Sequence, residues 1–293
     1  MDRFDDQHRM KEVPMEGVSF GINPFVWGIY NLIDGGILRA VLQHNTFTEN
    51  QAAVLFGVCF FLCAVLSYLI GSINCALVIS RLFYHEDVRE KGSGNAGATN
   101  VLRNYGKKAA ILTLLGDGFK GVLCILIASA VFGAPESEML YFHQVHACYL
   151  SAFFCVLGHV LPCFSKFRGG KGVATMALAI LALNPLIFAI LLALFVALVA
   201  MSKYVSLGSV VGAMFYPVIL HSFDSMEGSS HYGVGLYALM LGLLVLWAHR
   251  GNLKRITSGT ERKLSFSRQK SETVSENDTS DAASSDHSTQ DRQ

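Results

Sequence analysis

Three short segments of this chain combine cations, small residues and hydrogen-bonding groups in patterns suited to holding phosphorylated anions. In GSGNAGATNVLR, Gly92, Gly94, Gly97 and Ala98 let main-chain N–H groups approach a ligand, Ser93, Asn95, Thr99 and Asn100 add hydroxyl and amide groups, and Arg103 supplies charge. Successive N–H groups in a glycine-rich turn ahead of a helix start make a good anion site. In FSKFRGGKGVAT, Gly169, Gly170 and Gly172 surround Lys171 directly before an apolar run, so the positive end of a helix would face the same ligand. This is half of a phosphate loop, but the spacing GxxxxGK[ST] is missing because Gly follows Lys171. In AHRGNLKRITSGTERK, His249, Asn252 and Arg255 or Lys254 lie about one helical turn apart, followed by Gly259, Thr260 and Glu261.

Each segment also has a plainer explanation. Gly and Asn are what turns need, and Lys166, Arg168, Arg250, Lys254 and Arg255 serve as topology anchors. Anchoring leaves unexplained the three glycines around Lys171 and the His, Asn and Glu of the third segment.

The elements that must carry these residues are set by hydropathy. A chain of 293 residues with 52% hydrophobic and 15% charged residues is too apolar for an ordinary soluble enzyme. The fold class it implies is all-α, a polytopic integral membrane protein. Runs of the length needed to cross a bilayer core, roughly 20 apolar residues, are Asn50–Ser80, Ala109–Pro135, Gln144–Ser165, Val173–Ser202, Tyr204–Phe223 and Gly233–His249. Six Lys or Arg fall in Arg81–Lys108, three in Lys166–Lys171 and five in Arg250–Lys263, whereas Pro135–His143 and Asp224–Tyr232 carry only acidic charges. The positive-inside tendency puts the three basic segments on the cytoplasmic side. That requires Val173–Ser202 to cross twice. As one straight helix it would be about 45 Å long, and Asn184-Pro185 near its middle removes a backbone donor. Two short helices, and seven crossings in all, are expected; a single kinked, tilted helix is the alternative.

Residues 1–50 read as an N-terminal extension, with Gly21–Leu42 an interfacial helix rather than a further crossing. Residues 51–263 form the membrane-embedded domain, and residues 264–293 a polar tail expected to stay disordered. Met1–Gly17 is too polar for a cleavable signal peptide. The seven cysteines lie in apolar runs without CxxC spacing and read as packing residues. No metal, cofactor or nucleic-acid partner is called for. Asp117 and Lys120, three residues apart and so on one face, are the only acid and base inside a crossing; such charges are costly unless paired or wet. They read equally as a structural ion pair lining the site or as substrate contacts. His159 reads as a satisfied buried histidine.

GSGNAGATNVLR, GHVLPCFSKFRGGKGVAT and HRGNLKRITSGTERK, in this order and spacing, resemble the three cytoplasmic motifs of the bacterial acyl-phosphate:glycerol-3-phosphate acyltransferases, the PlsY-type family, and GDGFKG resembles the family's intervening Asp/Lys segment. The resemblance covers roughly Ser67 to Lys263 and departs from the family pattern at Asn74, Arg168, Ala248, Leu253 and Ile256. It implies a seven-helix enzyme of the cell inner membrane that passes a fatty acyl group from acyl phosphate to the 1-hydroxyl of glycerol 3-phosphate, giving lysophosphatidate and phosphate. On this basis Ser93, Arg103 and Lys171 are expected to hold the glycerol 3-phosphate phosphate, and the Gly169–Gly172 backbone, His249 and Asn252 the acyl phosphate and its developing oxyanion. Asn95, Thr99, Arg255 and Glu261 would order the loops, with Gly94, Gly97, Asn100, Lys120, Gly259 and Thr260 completing the substrate surroundings.

Rival classes fit less well. No histidine has an Asp five residues on, as an acyl-CoA glycerolphosphate acyltransferase would need, and neither Asp34-Gly35 nor Asp117-Gly118 continues as a CDP-alcohol phosphotransferase would. A transporter of an anionic or lipid substrate remains as the alternative, for which repeated halves would be expected.

Overall fold

Inside a bilayer a chain must satisfy its own backbone, which leaves helices as the solution for long apolar runs. A computed structural model describes residues 37, 41, 48–133, 138–227 and 233–263, and all its regular elements among these residues are helical. The expected polar tail lies outside the described residues, as do nearly all of Gly21–Leu42 and parts of the two acidic segments.

The first apolar run forms two helices, not one. α1 (Glu49–Ser72) starts with a capping box, in which Thr48 Oγ1 accepts from Gln51 N and Gln51 Oε1 from Thr48 N. It stops at Ile73, and Asn74 caps α2 (Cys75–Tyr84) by accepting from Leu77 N at 3.0 Å. This break was not expected from hydropathy, because no charge or proline marks it. After a 3₁₀ turn, Val88–Glu90, come α3 (Ala98–Tyr105), α4 (Lys107–Phe132), α5 (Glu138–Val160) and a second 3₁₀ turn, Cys163–Ser165. α6 (Val173–Leu183) and α7 (Pro185–Ser202) divide the long run where expected: Asn184 accepts from Ile187 N and Pro185 takes the first helical position. α8 (Val205–Glu227) contains Pro217. α9 (Val234–Ala248) and α10 (Arg250–Thr257) meet at a 57° bend centred on His249.

Among the described residues, five helical stretches are long and apolar enough to cross a membrane, and α9 with α10, taken as one bent span, makes a sixth. α6 is the short member: 11 residues rise about 16 Å, roughly half a hydrocarbon core. It begins late because the glycine segment before it is spent on a loop.

Helix packing rests on missing side chains. α1 meets α5 where Gly71 lies on the Cys155 carbonyl and Gly158 on the Tyr68 carbonyl, so closely that a Cβ at either would overlap it. α4 meets α6 through Gly118, beside Leu178 and Ala174, and Gly121, whose Cβ would be 2.7 Å from Thr175 O. Small residues let membrane helices approach in this way. Cys63, Cys124, Cys148 and Cys155 are buried free thiols among these helices. A separate cluster, with Ala76, Val88, Ala96 and Val101 wholly buried, anchors the first glycine segment against α2 and α3.

Replacing Gly158 with Ala is expected to cost about 1–3 kcal/mol by overpacking, lowering the melting temperature of the detergent-solubilised protein by roughly 5 °C. Gly57→Ala, with nothing within 4 Å of the added methyl, should leave it unchanged or slightly higher.

Candidate functional site

The first glycine segment is shaped by a buried amide. Asn100 Nδ2 donates to Val88 O at 2.9 Å and Lys91 O at 3.0 Å, while its Oδ1 accepts from Ser93 N at 3.0 Å. Gly92 and Gly94 take left-handed φ of 61° and 70°, and a Cβ at Gly92 would strike the Asn100 side chain. Asn100 therefore folds the loop and has no polar atom left for a ligand, contrary to its expected place in the substrate surroundings. The side chains of Ser93, Asn95 and Thr99 make no hydrogen bond among the described residues. α3 starts at Gly97 without a side-chain cap, leaving its first N–H groups free to face an anion. Arg103 lies one turn further along α3 and is exposed.

The second segment is pinned from two sides. Arg89 Nη1 donates to Ser165 O and Arg168 O, both at 3.2 Å, while its Nε and Nη2 grip Asp87 at 3.0 and 2.7 Å. That guanidinium holds the Asp87 carboxyl well below the usual carboxylate range. Gly169 and Gly170 lie against the end of α5, and Gly172 has φ 78°. Lys171 is half-buried and has no hydrogen bond or ion pair among the described residues. Burial pushes its ammonium down to about 8; Glu261 opposes the change, and Arg255 and Arg103 add to it.

The third segment is a closed polar network. His249 is buried at the bend, and its Nδ1 donates to Val245 O at 2.8 Å, which leaves Nε2 as a lone-pair acceptor. Asn252 Nδ2 donates to Glu261 Oε1 at 2.6 Å and Ser206 Oγ at 3.1 Å, Ser206 Oγ donates to the same carboxylate oxygen at 2.5 Å, and Arg255 Nε reaches Glu261 Oε2 at 2.8 Å. Burial alone would raise the Glu261 carboxyl, but these three donors outweigh it and keep it ionised. Thr260 and Glu261 both donate their backbone N–H to Arg255 O, around the left-handed Gly259. Arg255 and Glu261 close this segment on themselves, and Asn252 has its amide N–H groups committed to the protein.

The three segments share one field. Lys171 feels Glu261, Arg255 and Arg103; Arg103 feels Arg262, Glu261 and Arg255; His249 feels Lys171 and Glu261. With Glu261 the one acid among the described residues that Lys171 and Arg103 feel beside Arg255 and Arg262, the surplus is positive. Such a site favours a multiply charged oxyanion.

Lys120 does not join it as a free ligand. Its Nζ donates to Gly71 O at 2.9 Å, Ile73 O at 2.8 Å and Asp117 Oδ1 at 3.1 Å, and lies 2.8 Å from His159 Nδ1. Three N–H groups shared among four acceptors leave none for substrate, so the structure corrects the substrate-contact alternative in favour of the structural pair. His159 is buried and partnered, as expected. Sequence reasoning missed Ser206 and Arg89. Ser206 is 55 residues from the Glu261 it serves, and Arg89 had been counted only as a topology charge; the Asp two residues before it was the available signal.

A family model described as glycerol-3-phosphate acyltransferase matches residues 61–259, which takes in the first two segments and most of the third. The glycerol-3-phosphate acyltransferase of Clostridioides difficile is 42% identical over 205 residues, covering 70% of this chain and 95% of the relative. That of Finegoldia magna is 41% identical over 203 residues, covering 68% and 93%. The crystal structure of PlsY (YgiH), an integral membrane glycerol 3-phosphate acyltransferase, in its glycerol 3-phosphate form is similar with a TM-score of 0.60 at 29% identity, over 70% of this chain and 96% of that one. The lysophosphatidic acid form gives 0.56 at the same identity, over 70% and 95%.

Ser206→Ala removes a charge-assisted bond worth about 1.5–3 kcal/mol from the closure of the third segment. Trypsin cleavage after Arg262 in the detergent-solubilised protein should then accelerate by about tenfold to a hundredfold, read by mass spectrometry of the released tail.

Proposed function

The chain belongs to the glycerol-3-phosphate acyltransferase family, and from that premise we propose that its acyl donor is acyl phosphate and its products lysophosphatidate and inorganic phosphate. The 1-hydroxyl oxygen of glycerol 3-phosphate attacks the acyl carbonyl carbon, the bond from that carbon to the phosphate oxygen breaks, and the leaving phosphate takes the hydroxyl proton. The site opens on the cytoplasmic face of the cell inner membrane, where the three basic segments share one side. The observation that carries this reading is the surplus of cations around Lys171, which has no hydrogen bond or ion pair among the described residues and sits beside loops with unused N–H groups.

Both reactants carry a phosphate, so the first task of the site is to hold two anions together against their repulsion. Ser93, Arg103 and Lys171 hold the phosphate of glycerol 3-phosphate. The Gly169–Gly172 N–H groups face the acyl phosphate and the oxyanion that forms at its carbonyl, His249 turns its accepting Nε2 toward the 1-hydroxyl rather than the oxyanion, and Asn252 acts through Glu261 to keep the last segment closed. An acyl phosphate is an activated anhydride with a good leaving group, so proximity and oxyanion stabilisation suffice. No acyl-enzyme step is needed, because the anhydride already carries a good leaving group for direct attack.

Purified protein in lipid nanodiscs, given palmitoyl phosphate and glycerol 3-phosphate, is expected to release phosphate and lysophosphatidate one for one. Turnover with palmitoyl-CoA and none with palmitoyl phosphate would overturn the donor assignment.

The lowered Lys171 predicts a pH dependence. Its ammonium is present below about 8 and is lost as pH rises through that value, so affinity for the phosphate falls on the alkaline side. KM for glycerol 3-phosphate should rise about fivefold between pH 8 and pH 9. Lys171→Arg, whose guanidinium stays charged, should flatten the rise, and Glu261→Gln, which removes the opposing charge, should move it to lower pH.

A further inference from the structure

We infer that Asp117, Lys120 and His159 form a positioning device that sets both glycine loops of the anion site, so that substrate binding at Lys171 depends on a cluster that never touches the substrate. The inference rests on the acyltransferase reading of that site. The three side chains are almost completely buried, with Lys120 Nζ and His159 Nδ1 at 3.1 and 3.4 Å from Asp117 Oδ1. Burying an ion pair costs several kcal/mol per charge unless its remaining groups are satisfied. Here Lys120 Nζ and Asp117 Oδ1 are satisfied in part by backbone groups that lead to the loops.

Three lines run outward from the cluster. Lys120 closes the break between α1 and α2 by taking the Gly71 and Ile73 carbonyls, and Asp117 Oδ1 accepts from Cys75 N at 3.1 Å on the far side of that break. Asn74, held within the break, sends Nδ2 to Ala96 O at 3.1 Å, in the first glycine loop. The His159 carbonyl accepts from Gly170 N at 3.1 Å, in the second loop. The His159 ring lies so close to Gly170 that a Cβ there would overlap Nε2, and the same Cβ would stand 2.7 Å from Ala96 O. Gly170 is therefore wedged between the imidazole and the first loop. Finally, the Asp117 carbonyl accepts from Thr175 Oγ1 at 2.7 Å, four residues beyond Lys171 at the start of α6.

The chemistry of His159 follows from its neighbour. A lysine ammonium can only donate, so Nδ1 is the acceptor and the ring is neutral with its proton on Nε2. What the device needs from His159 is an acceptor at the Nδ1 position and a flat face against Gly170. The charges of Asp117 and Lys120 cancel, so the cluster adds no net charge to the anion site and acts through backbone placement.

The variants that separate positioning from bulk stability are His159→Asn, whose amide oxygen can stand near the Nδ1 position, and His159→Leu, which offers no acceptor. Turnover per folded protein, KM for glycerol 3-phosphate, the melting temperature and hydrogen exchange at Gly94 and Gly170 are measured for each in detergent. His159→Leu is expected to lose at least tenfold in kcat/KM, with part of the loss in KM, and to exchange faster at both loop amides. His159→Asn should recover to within about threefold. Wild-type kinetics and loop protection in folded His159→Leu, or equal losses in both variants, would overturn the inference. Should His159→Leu fail to fold, Thr175→Val and Asn74→Ala decide it, since each cuts one line and leaves the ion pair intact. A rise of threefold or more in KM, with faster exchange in the loop concerned, is expected; unchanged values would overturn it. Wild-type protein inactive on palmitoyl phosphate would instead refute the donor assignment, and the exchange measurement still decides the positioning role.

Discussion

The ammonium of Lys120 answers a difficulty peculiar to an apolar bundle. The Asn50–Tyr84 stretch of 35 residues would run to about 52 Å as a straight helix, far beyond a hydrocarbon core, and the chain breaks at Ile73. A break frees carbonyls where there is no water to take them, at several kcal/mol each. Lys120 takes two of them and Asp117 takes the N–H that opens α2. Each charge also covers part of the burial cost of the other. From this junction follow the direction of α2, the seat of Asn74 and the placing of α5 against the second glycine loop. Remove the ammonium and the Gly71 and Ile73 carbonyls lose their donor, leaving Asn74 and Asp117 to hold only the α2 side of the break.

A second constraint acts at the site itself. Gathering Lys171, Arg103, Arg255 and Arg262 near one another is unfavourable before any ligand arrives, and a single carboxylate moderates it. Glu261 is fixed by Ser206, Asn252 and Arg255, so its charge is delivered from a known place and does not collapse onto Lys171. The cation surplus survives, and Lys171 stays without a hydrogen bond or ion pair among the described residues.

Much of this was legible in the sequence, and the parts that were not share a physical reason. Apolar runs and a mid-run Asn-Pro locate helices because hydropathy and a missing donor are local properties; α6 and α7 divide at Asn184 as read. The division at Ile73 was invisible because its stabilisation comes from Lys120, 47 residues away. Asn100 and Lys120 looked like ligands by type, yet their polar atoms are consumed by the fold, which only geometry can reveal. Ser206 carried no local signal, since a serine opening a membrane helix is ordinary and its importance lies wholly in facing Glu261.

The glycine contact between α4 and α6 fixes a depth. Gly118 and Gly121 of α4 lie beside Ala174, Leu178 and Thr175, and Gly118 is eleven residues past Lys107, the first residue of α4, or about 16 Å along its axis. Over that distance α4 shows Ile111, Leu112, Leu114 and Leu115 on its outer surface, side chains suited to lipid tails. The start of α6, and Lys171 just before it, is therefore sunk below the level at which α4 becomes lipid-facing, sheltered by the bundle. An anionic headgroup can be drawn down to meet the ammonium while its hydrocarbon tail remains at its natural height in the bilayer. A ligand with both parts need not be lifted out of the membrane to react, and the energy otherwise spent exposing its tail to water is never incurred.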